Sequence, residues 1–257
     1  MGNSKIFYRI VILLLSGFLF SCAGSMAPAS PRKEKALAYQ RLGNSLFIQG
    51  NTRDALVQLL EAEKLDNRNP DLEHDLALVY QKLGQFDLSL RHFKKAIDLK
   101  PDFPDAYNNM GTLYSQKMDW DNAMKCYEKA VSNILYRTPQ FAYHNMGLVH
   151  FNQKDYQRAI ALYQKAISLS PEYEPAYFDL AKAYELMGQN DKAFDTYKKI
   201  IDIVPDSFTA YLAMARLYYK TGQPDMAIDK INFVIGTDPR SQIAREAMKL
   251  LEEIQSR

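Results

Sequence analysis

The chain has 257 residues, of which 47% are hydrophobic and 24% are charged, with 11 glycines and 11 prolines. This composition excludes a disordered chain and a collagen-like or mucin-like one. The 32 basic and 30 acidic residues leave a net charge of +2, but Lys5 and Arg9 lie in the first 21 residues, which hold no acid. The remaining chain is neutral, which argues against nucleic acid as a partner. Two cysteines cannot form a disulfide framework.

The amino terminus has the pattern of a secretory signal peptide. Lys5 and Arg9 are followed by an apolar run over residues 10–20. This run is too short for a transmembrane helix, which needs about 20 apolar residues. We therefore predict a signal peptide over residues 1–21.

The segment Leu19-Phe20-Ser21-Cys22 resembles the lipobox of bacterial lipoproteins, in which the cysteine becomes the lipidated first residue. This resemblance implies lipidation at Cys22. Residue 23 is Ala rather than Asp, which by similarity to lipoprotein sorting in Gram-negative bacteria indicates the periplasmic face of the outer membrane. The alternative is an ordinary signal that is cleaved after a small residue such as Ala23 or Ser25.

Residues 23–35 are small, polar and proline-containing, without a helical or strand period. Such a composition is typical of a flexible linker. We predict that residues 22–35 comprise the lipidated cysteine and a tether between the membrane and a folded body.

From Ala36 onward the sequence repeats with a period of 34 residues. The eighth place of every block is Gly or Ala, and the twentieth is Ala or Ser. Within a block, apolar residues recur at spacings of three and four in two halves, separated by turn residues such as Gly188-Gln189-Asn190. This predicts helix pairs that approach closely at the small residues. The predicted repeats are residues 36–69, 70–103, 104–139, 140–173, 174–207 and 208–241.

The repeat pattern resembles that of tetratricopeptide repeats. The resemblance implies an all-α, right-handed superhelical solenoid of six helix pairs. The amphipathic tail, residues 242–257, is predicted to be a capping helix that covers the last repeat. The third block is 36 residues long, and its two extra residues fall within the segment 134–139.

No group of residues in the sequence indicates catalysis. His74 and His144 lie two repeats apart and are too distant to share a metal ion. We interpret His150 as a packed structural residue and Cys126 as a buried small hydrophobe. The chain has no glycine-rich phosphate loop and no zinc-protease or serine-hydrolase motif. We therefore expect no enzymatic activity, cofactor, metal or small-molecule substrate.

A solenoid of helix pairs offers a groove lined by the first helix of each pair, which suits an extended or helical peptide. Asp75 and Asp105 stand at two places where chaperone-binding members of this repeat class hold a carboxylate, so that binding mode is not expected. The simpler alternative for Phe47 and Phe151 is packing against their neighbours. The predicted groove residues are Leu37, Gln40, Asn44, Phe47, His74, Leu78, Gln81, Asn108, Thr112, Phe141, His144, Leu148 and Phe151.

The lipobox, the six repeats, the capping helix and the stretch Asn133-Ile134-Leu135-Tyr136-Arg137-Thr138-Pro139, followed by residues 142–147 (AYHNMG), together resemble one family. It is that of the type IV pilus biogenesis lipoproteins called PilF, PilW or Tgl. In that family the third repeat is likewise extended, with a Tyr-Arg-Thr-Pro element. The corresponding residues here are Tyr136, Arg137, Thr138 and Pro139.

Membership of this family would imply a pilotin, which binds secretin subunits of the type IV pilus and promotes their outer-membrane localisation and ring assembly. Pilus biogenesis and twitching motility would then depend on it. The extended turn also has a purely structural interpretation, in which Tyr136 fills the gap left by the longer turn and Thr138-Pro139 cap the next helix. The competing function is a general envelope scaffold that organises peptidoglycan enzymes or outer-membrane protein insertion.

Overall fold

Thirteen α-helices and no strand make up residues 30–256, the part of the chain that the computed structural model describes. The predicted signal peptide, Cys22 and residues 22–29 of the predicted tether lie outside the described residues. The all-α prediction is confirmed. The helices are α1 (Pro31–Ile48), α2 (Thr52–Leu65), α3 (Pro70–Lys82), α4 (Phe86–Leu99), α5 (Pro104–Gln116), α6 (Trp120–Val131), α7 (Pro139–Asn152), α8 (Tyr156–Leu169), α9 (Glu174–Leu186), α10 (Asn190–Ile203), α11 (Phe208–Lys220), α12 (Pro224–Thr237) and α13 (Gln242–Gln255).

The first twelve helices form six pairs that stack in chain order, and α13 packs on the last pair. Each helix contacts its neighbours in sequence, which is the arrangement of a repeat solenoid. Helix α13 buries Ala244 and Ala247 and packs Ile243 and Leu250 against the sixth repeat. The predicted helix pairs and capping helix are therefore present. No helix within residues 30–256 combines the length and apolar character needed to cross a membrane.

The small residue at the eighth place of each repeat lets the two helices of a pair approach closely. A Cβ atom on Gly147 would lie 2.5 Å from Cε1 of Tyr163, and one on Gly111 would lie 2.6 Å from Cε1 of Tyr127. Both tyrosines are buried in the core between the helix layers. The glycines thus provide the space that these two rings occupy.

The turn within each pair passes through the left-handed region of backbone conformation at the same place in all six repeats. Glycine occupies this place in four repeats, where it adopts a positive φ without a steric penalty. In the third and fourth repeats the residues there are Met118, with φ of 58°, and Lys154, with φ of 63°. Glycine in the sequence therefore identifies only four of these six turns.

Helix α1 begins five residues before the predicted start of the first repeat, so residues 31–35 are helical and do not belong to a tether. Proline at the first helical position and the Ser30 hydroxyl, which accepts from the backbone N–H of Lys33, favour this start. The Arg32 guanidinium donates to the carbonyls of Lys64 and Leu65 at the end of α2. Because this first turn is exposed, it lacks the apolar periodicity that marks the other helix starts.

The predicted extension of the third repeat is present. Seven residues, 132–138, join α6 to α7, whereas four residues join the helix pairs at each of the other interrepeat turns. Pro139 is the first residue of α7, so the fourth helix pair begins one residue before the predicted repeat boundary.

Candidate partner-binding groove

The first helices of the pairs line the concave side of the solenoid. From α1 to α9, each first helix contacts the first helix of the next repeat, whereas successive second helices do not pack on one another in this way. The side on which helices approach most closely is the inner side of the curve. We call this surface of α1, α3, α5, α7, α9 and α11 the inner face.

Hydrogen bonds connect the inner face across four consecutive repeat junctions. In each bond the fifth place of one repeat meets the sixth place of the next, 35 or 37 residues later. The Gln40 amide donates to Asp75 Oδ2 at 2.7 Å, and Asn145 donates to Asn108 Oδ1 at 3.1 Å. We call this set the inner-face ladder. Its four pairs are Gln40–Asp75, His74–Asn109, Asn108–Asn145 and His144–Asp179.

In the inner-face ladder, several predicted groove residues use their polar groups for hydrogen bonds inside the protein. Gln40, Asn108 and His144 are buried. The Asn44 amide donates to Asp75 Oδ2 at 2.8 Å, and the Asn145 amide donates to Thr112 Oγ1 at 3.5 Å. These side chains therefore hold neighbouring repeats together, because buried polar groups are stable only when they are hydrogen-bonded. Their partners Asn109, Asn145 and Asp179 were not among the predicted residues, although the recurring 35-residue spacing of polar pairs is visible in the sequence.

A pocket of about 370 Å³ opens on the inner face at repeats one to three. Three predicted groove residues, Phe47, Leu78 and Gln81, line it. The structure adds Lys82, Phe86 and Gln116, which the sequence pattern did not indicate. Phe47 and Leu78 are half-buried and Phe86 is exposed. The pocket therefore combines two aromatic rings and an aliphatic side chain with a lysine at its rim. We call it the Phe47 pocket.

A second aromatic patch lies on repeats four and five. Phe141 is exposed and packs edge-on against Tyr173, whose hydroxyl lies 3.1 Å from Nδ1 of His144. Phe151 packs against Tyr156 and lies under the ammonium of Lys182, which is 5.7 Å from the ring centroid. Phe151 and Leu148 are half-buried against the core. Of the remaining predicted residues, Leu37 is exposed at the start of the first repeat.

The extended turn has mainly a structural role at its centre. Tyr136 is buried among Ala130, Ala142 and Met146, so it fills the gap left by the longer turn. Thr138 occupies the N-cap position of α7 but makes no capping hydrogen bond, whereas Pro139 stands in the first turn of the helix as expected. Arg137 is exposed.

Cys126 and His150 fit their structural interpretations. Cys126 is buried on α6, and burial raises the pKa of its thiol to about 11. It therefore stays protonated and unreactive near neutral pH. His150 is half-buried, and its nearest charged neighbour is Asp155, 3.9 Å away.

A buried ion network, which the sequence did not indicate, joins α2, α3 and α4. Glu73 is fully buried, and its carboxylate lies 2.7 Å from Nδ1 of His92 and 2.6 Å from Nζ of Lys95. Lys95 also lies 2.8 Å from Glu63. The ligand atoms of Glu63, Glu73 and His92 are close enough to hold a metal ion. The Lys95 ammonium already bridges the two carboxylates, so each of them has a cationic partner within the protein.

Substitution of Glu73 tests this network through its pH dependence. Burial alone would raise the pKa of Glu73, but hydrogen bonds from His92 and Lys95 outweigh it and lower that pKa. A carboxyl with a lowered pKa contributes stability at neutral pH that is lost as pH falls through its folded-state pKa. We expect Glu73→Gln to reduce the free energy of unfolding by about 2–3 kcal/mol at pH 7. The difference from wild type should shrink below pH ~4.

Urea unfolding followed by circular dichroism at pH 7, 5 and 3 measures this effect. Glu61→Gln is the matched control, because Glu61 is partly exposed and pairs with Lys64 on one helix surface. Its stability should remain close to wild type at every pH. An undiminished loss for Glu73→Gln at pH 3 would contradict an ionic origin.

Comparison with protein families supports the repeat assignment. Three family models of the tetratricopeptide repeat match this chain. The first matches residues 140–206, the second residues 43–84 and 82–117, and the third residues 104–133. Together these matches cover more than half of the chain. The photosystem I assembly protein Ycf3 of Cyanophora paradoxa is 32% identical over 90 residues, which are 34% of this chain and 52% of that protein. The chain thus spans about half the length of this relative.

Two solved structures resemble the solenoid over most of its length. Pseudomonas aeruginosa PilF has a TM-score of 0.70 at 22% identity, with 85% of this chain and 98% of PilF covered. PilW, described as a widely conserved type IV pilus biogenesis factor, has a TM-score of 0.74 at 23% identity, with 83% and 98% covered. At these identities the likeness concerns the fold, which is typical of protein-interaction proteins rather than enzymes. The helix pairs, the close-packed small residues and these matches show that the chain belongs to the tetratricopeptide-repeat proteins.

Proposed function

We propose that this protein is a pilotin, an outer-membrane lipoprotein that binds type IV pilus secretin subunits and promotes their assembly into the ring. The observation that carries the proposal is that the likeness to PilF and PilW extends over 85% and 83% of this chain and over 98% of each of those chains. The extended third turn and the lipobox around Cys22 support the same assignment.

The inner face supplies the binding surface in this proposal. The Phe47 pocket on repeats one to three and the aromatic patch around Phe141 and Phe151 lie at two points along this face, with the polar Asn108–Asn145 pair between them. Apolar anchors at two points with polar groups between them suit an extended or helical segment of a partner. Lys82 at the pocket and Lys182 beside Phe151 would attract acidic groups that flank the partner's apolar side chains.

The lipid anchor supplies the location. Acyl chains on Cys22, at about 0.8 kcal/mol for each buried CH₂, would hold the protein on the membrane. A secretin subunit exposes apolar surface before it enters the bilayer. A membrane-bound partner shields that surface and raises the local concentration of subunits where the ring forms.

Two separate strains test the proposal. One carries a clean deletion of the gene, and the other carries the Cys22→Ala variant. We expect the deletion to leave secretin subunits present but unassembled or in the wrong membrane, with surface pili and twitching motility lost. The Cys22→Ala variant should be released from the outer membrane and give an intermediate defect, because its groove remains intact. Fractionation and heat-stable secretin multimers on gels are the measurements.

Normal amounts of heat-stable secretin multimers in the outer membrane of the deletion would contradict the pilotin assignment. That result would favour a general envelope scaffold that organises peptidoglycan enzymes or outer-membrane protein insertion. Complete outer-membrane fractionation of the Cys22→Ala variant would contradict lipidation at this residue.

A further inference from the structure

The extended turn presents two adjacent aliphatic side chains to solvent. Ile134 is 96% exposed, the highest value among the large hydrophobic residues of the described chain, and Leu135 is 77% exposed. Neither packs against the core that Tyr136 enters. Single exposed apolar residues are common, but an adjacent pair at the tip of a turn is a candidate for contact with an apolar environment.

The turn is held in a defined shape that points this pair outward. The backbone N–H of Leu135 donates to Asn133 Oδ1 at 2.7 Å, and the Asn133 amide donates to Asp102 Oδ1 of the preceding interrepeat turn at 2.7 Å. The N–H of Tyr136 donates to the Asn133 carbonyl at 3.1 Å. The exposed pair therefore lies between an anchored asparagine and a buried tyrosine.

The pair lies on the edge of the solenoid from which the chain leads to Cys22. All interrepeat turns are on one edge, and the start of α1 is on it as well, because Arg32 bonds to the end of α2. Lys100 lies 3.9 Å from Asp71, which continues the contacts along this edge. Only eight residue steps separate Cys22 from Ser30, a length of at most about 29 Å. A lipid on Cys22 would therefore keep the first-repeat end of this edge near the bilayer, and the extended turn lies farther along the same edge.

We infer that Ile134 and Leu135 insert into the interface of the lipid bilayer and form a second membrane contact beside the lipid anchor. The inference rests on the proposed anchoring at Cys22. In this arrangement Ile134 and Leu135 would enter the apolar layer, and the exposed Arg137 would lie at the level of the lipid headgroups. Because the aromatic patches lie on the inner face, membrane contact by the turn leaves the groove free for a partner.

Site-specific fluorescence on the mature lipoprotein, purified from membranes and reconstituted in phosphatidylethanolamine–phosphatidylglycerol vesicles, tests this contact. Leu135→Cys and Ile48→Cys variants are labelled with an environment-sensitive thiol dye. Ile48 is the matched control, since it is 86% exposed and lies at the end of α1, on the opposite edge. Buried Cys126 stays unlabelled, and unsubstituted protein gives the background.

We expect a blue shift and quenching by spin-labelled lipid for the dye at position 135, and neither for the dye at position 48. Equal emission at both positions without lipid quenching would overturn the inference. A shift at position 135 that occurs only after secretin subunits are added would also overturn it, because the turn would then contact a protein.

A second measurement separates this inference from the lipid anchor. The mature chain, residues 22–257, carrying Cys22→Ala is mixed with the same vesicles, and the bound fraction is measured by flotation. Leu135→Asp should weaken this residual binding about tenfold, as expected for the loss of one buried leucine, whereas Ile48→Asp should not change it. Equal binding of the two aspartate variants would overturn the turn's role. Mass spectrometry of the mature protein shows separately whether Cys22 carries acyl chains, and so whether the lipid anchor exists.

Discussion

We expect Gly147→Leu to reduce the free energy of unfolding by at least 3 kcal/mol, at or above the upper end of the ~1–3 kcal/mol typical of overpacking. Even the first side-chain atom at this position would lie 2.5 Å from the ring of Tyr163. The ring is fully buried and cannot swing away, so α7 and α8 must separate. Chemical denaturation followed by circular dichroism measures the loss.

Gly236→Leu is the matched control for this substitution. Gly236 lies within α12, and a Cβ there would meet no atom within 4 Å. Leucine has a higher helix propensity than glycine, so we expect this variant to be unchanged or more stable by up to about 1 kcal/mol. Similar small effects at both positions would show that the helix pair tolerates a larger separation than the structure indicates.

The destabilisation caused by Gly147→Leu should extend to the neighbouring repeats. Each helix pair contacts only its neighbours, so the loss of the fourth pair removes interfaces with the third and the fifth. Hydrogen exchange should show faster exchange in α5 to α10 than in α1 to α4. Loss of protection confined to α7 and α8 would contradict nearest-neighbour coupling.

We expect Phe47→Ala to weaken capture of secretin subunits by about 2 kcal/mol, or roughly thirtyfold. Phe47 contributes one wall of the Phe47 pocket together with Leu78 and Phe86. Aromatic side chains that line an inner pocket bury a large apolar area on binding and lose little conformational entropy. A binding titration with purified secretin measures the change.

Phe233→Ala is the control for aromatic truncation. Phe233 is exposed to a similar extent as Phe141 but lies on α12, a second helix, where it packs against Tyr211. We expect it to leave capture unchanged. The helicity of both variants must match wild type, because Phe47 also contacts the core of the first repeats. Unchanged capture by folded Phe47→Ala would place the binding site outside this pocket.

The Phe151→Ala variant distinguishes one binding point from two. Phe151 is half-buried against the core and lies under Lys182, so part of its contact area is already used within the protein. Its truncation should weaken capture less than that of Phe47. If both substitutions weaken capture and their effects add, the partner spans the groove from repeat one to repeat five.

The sequence by itself determined the helix pairs, their number, the extended third turn and the capping helix. Each of these features is encoded locally, by apolar residues at spacings of three and four and by turn residues that recur every 34 places. The small residues at the eighth place also followed from the repeat. The start of α1 was missed because its first turn is exposed and carries no apolar period.

Only the tertiary structure decided which polar residues face a partner. Gln40 and His144 stand at groove places, yet each is buried by a partner 35 residues away in the next repeat. Glu73 is also buried by partners that the sequence did not indicate, but His92 and Lys95 come from the second helix of its own repeat. Burial and pairing depend on how consecutive repeats are rotated against one another. A period read along the chain places a residue on a helix face, but the packing of the next repeat determines whether that face is covered.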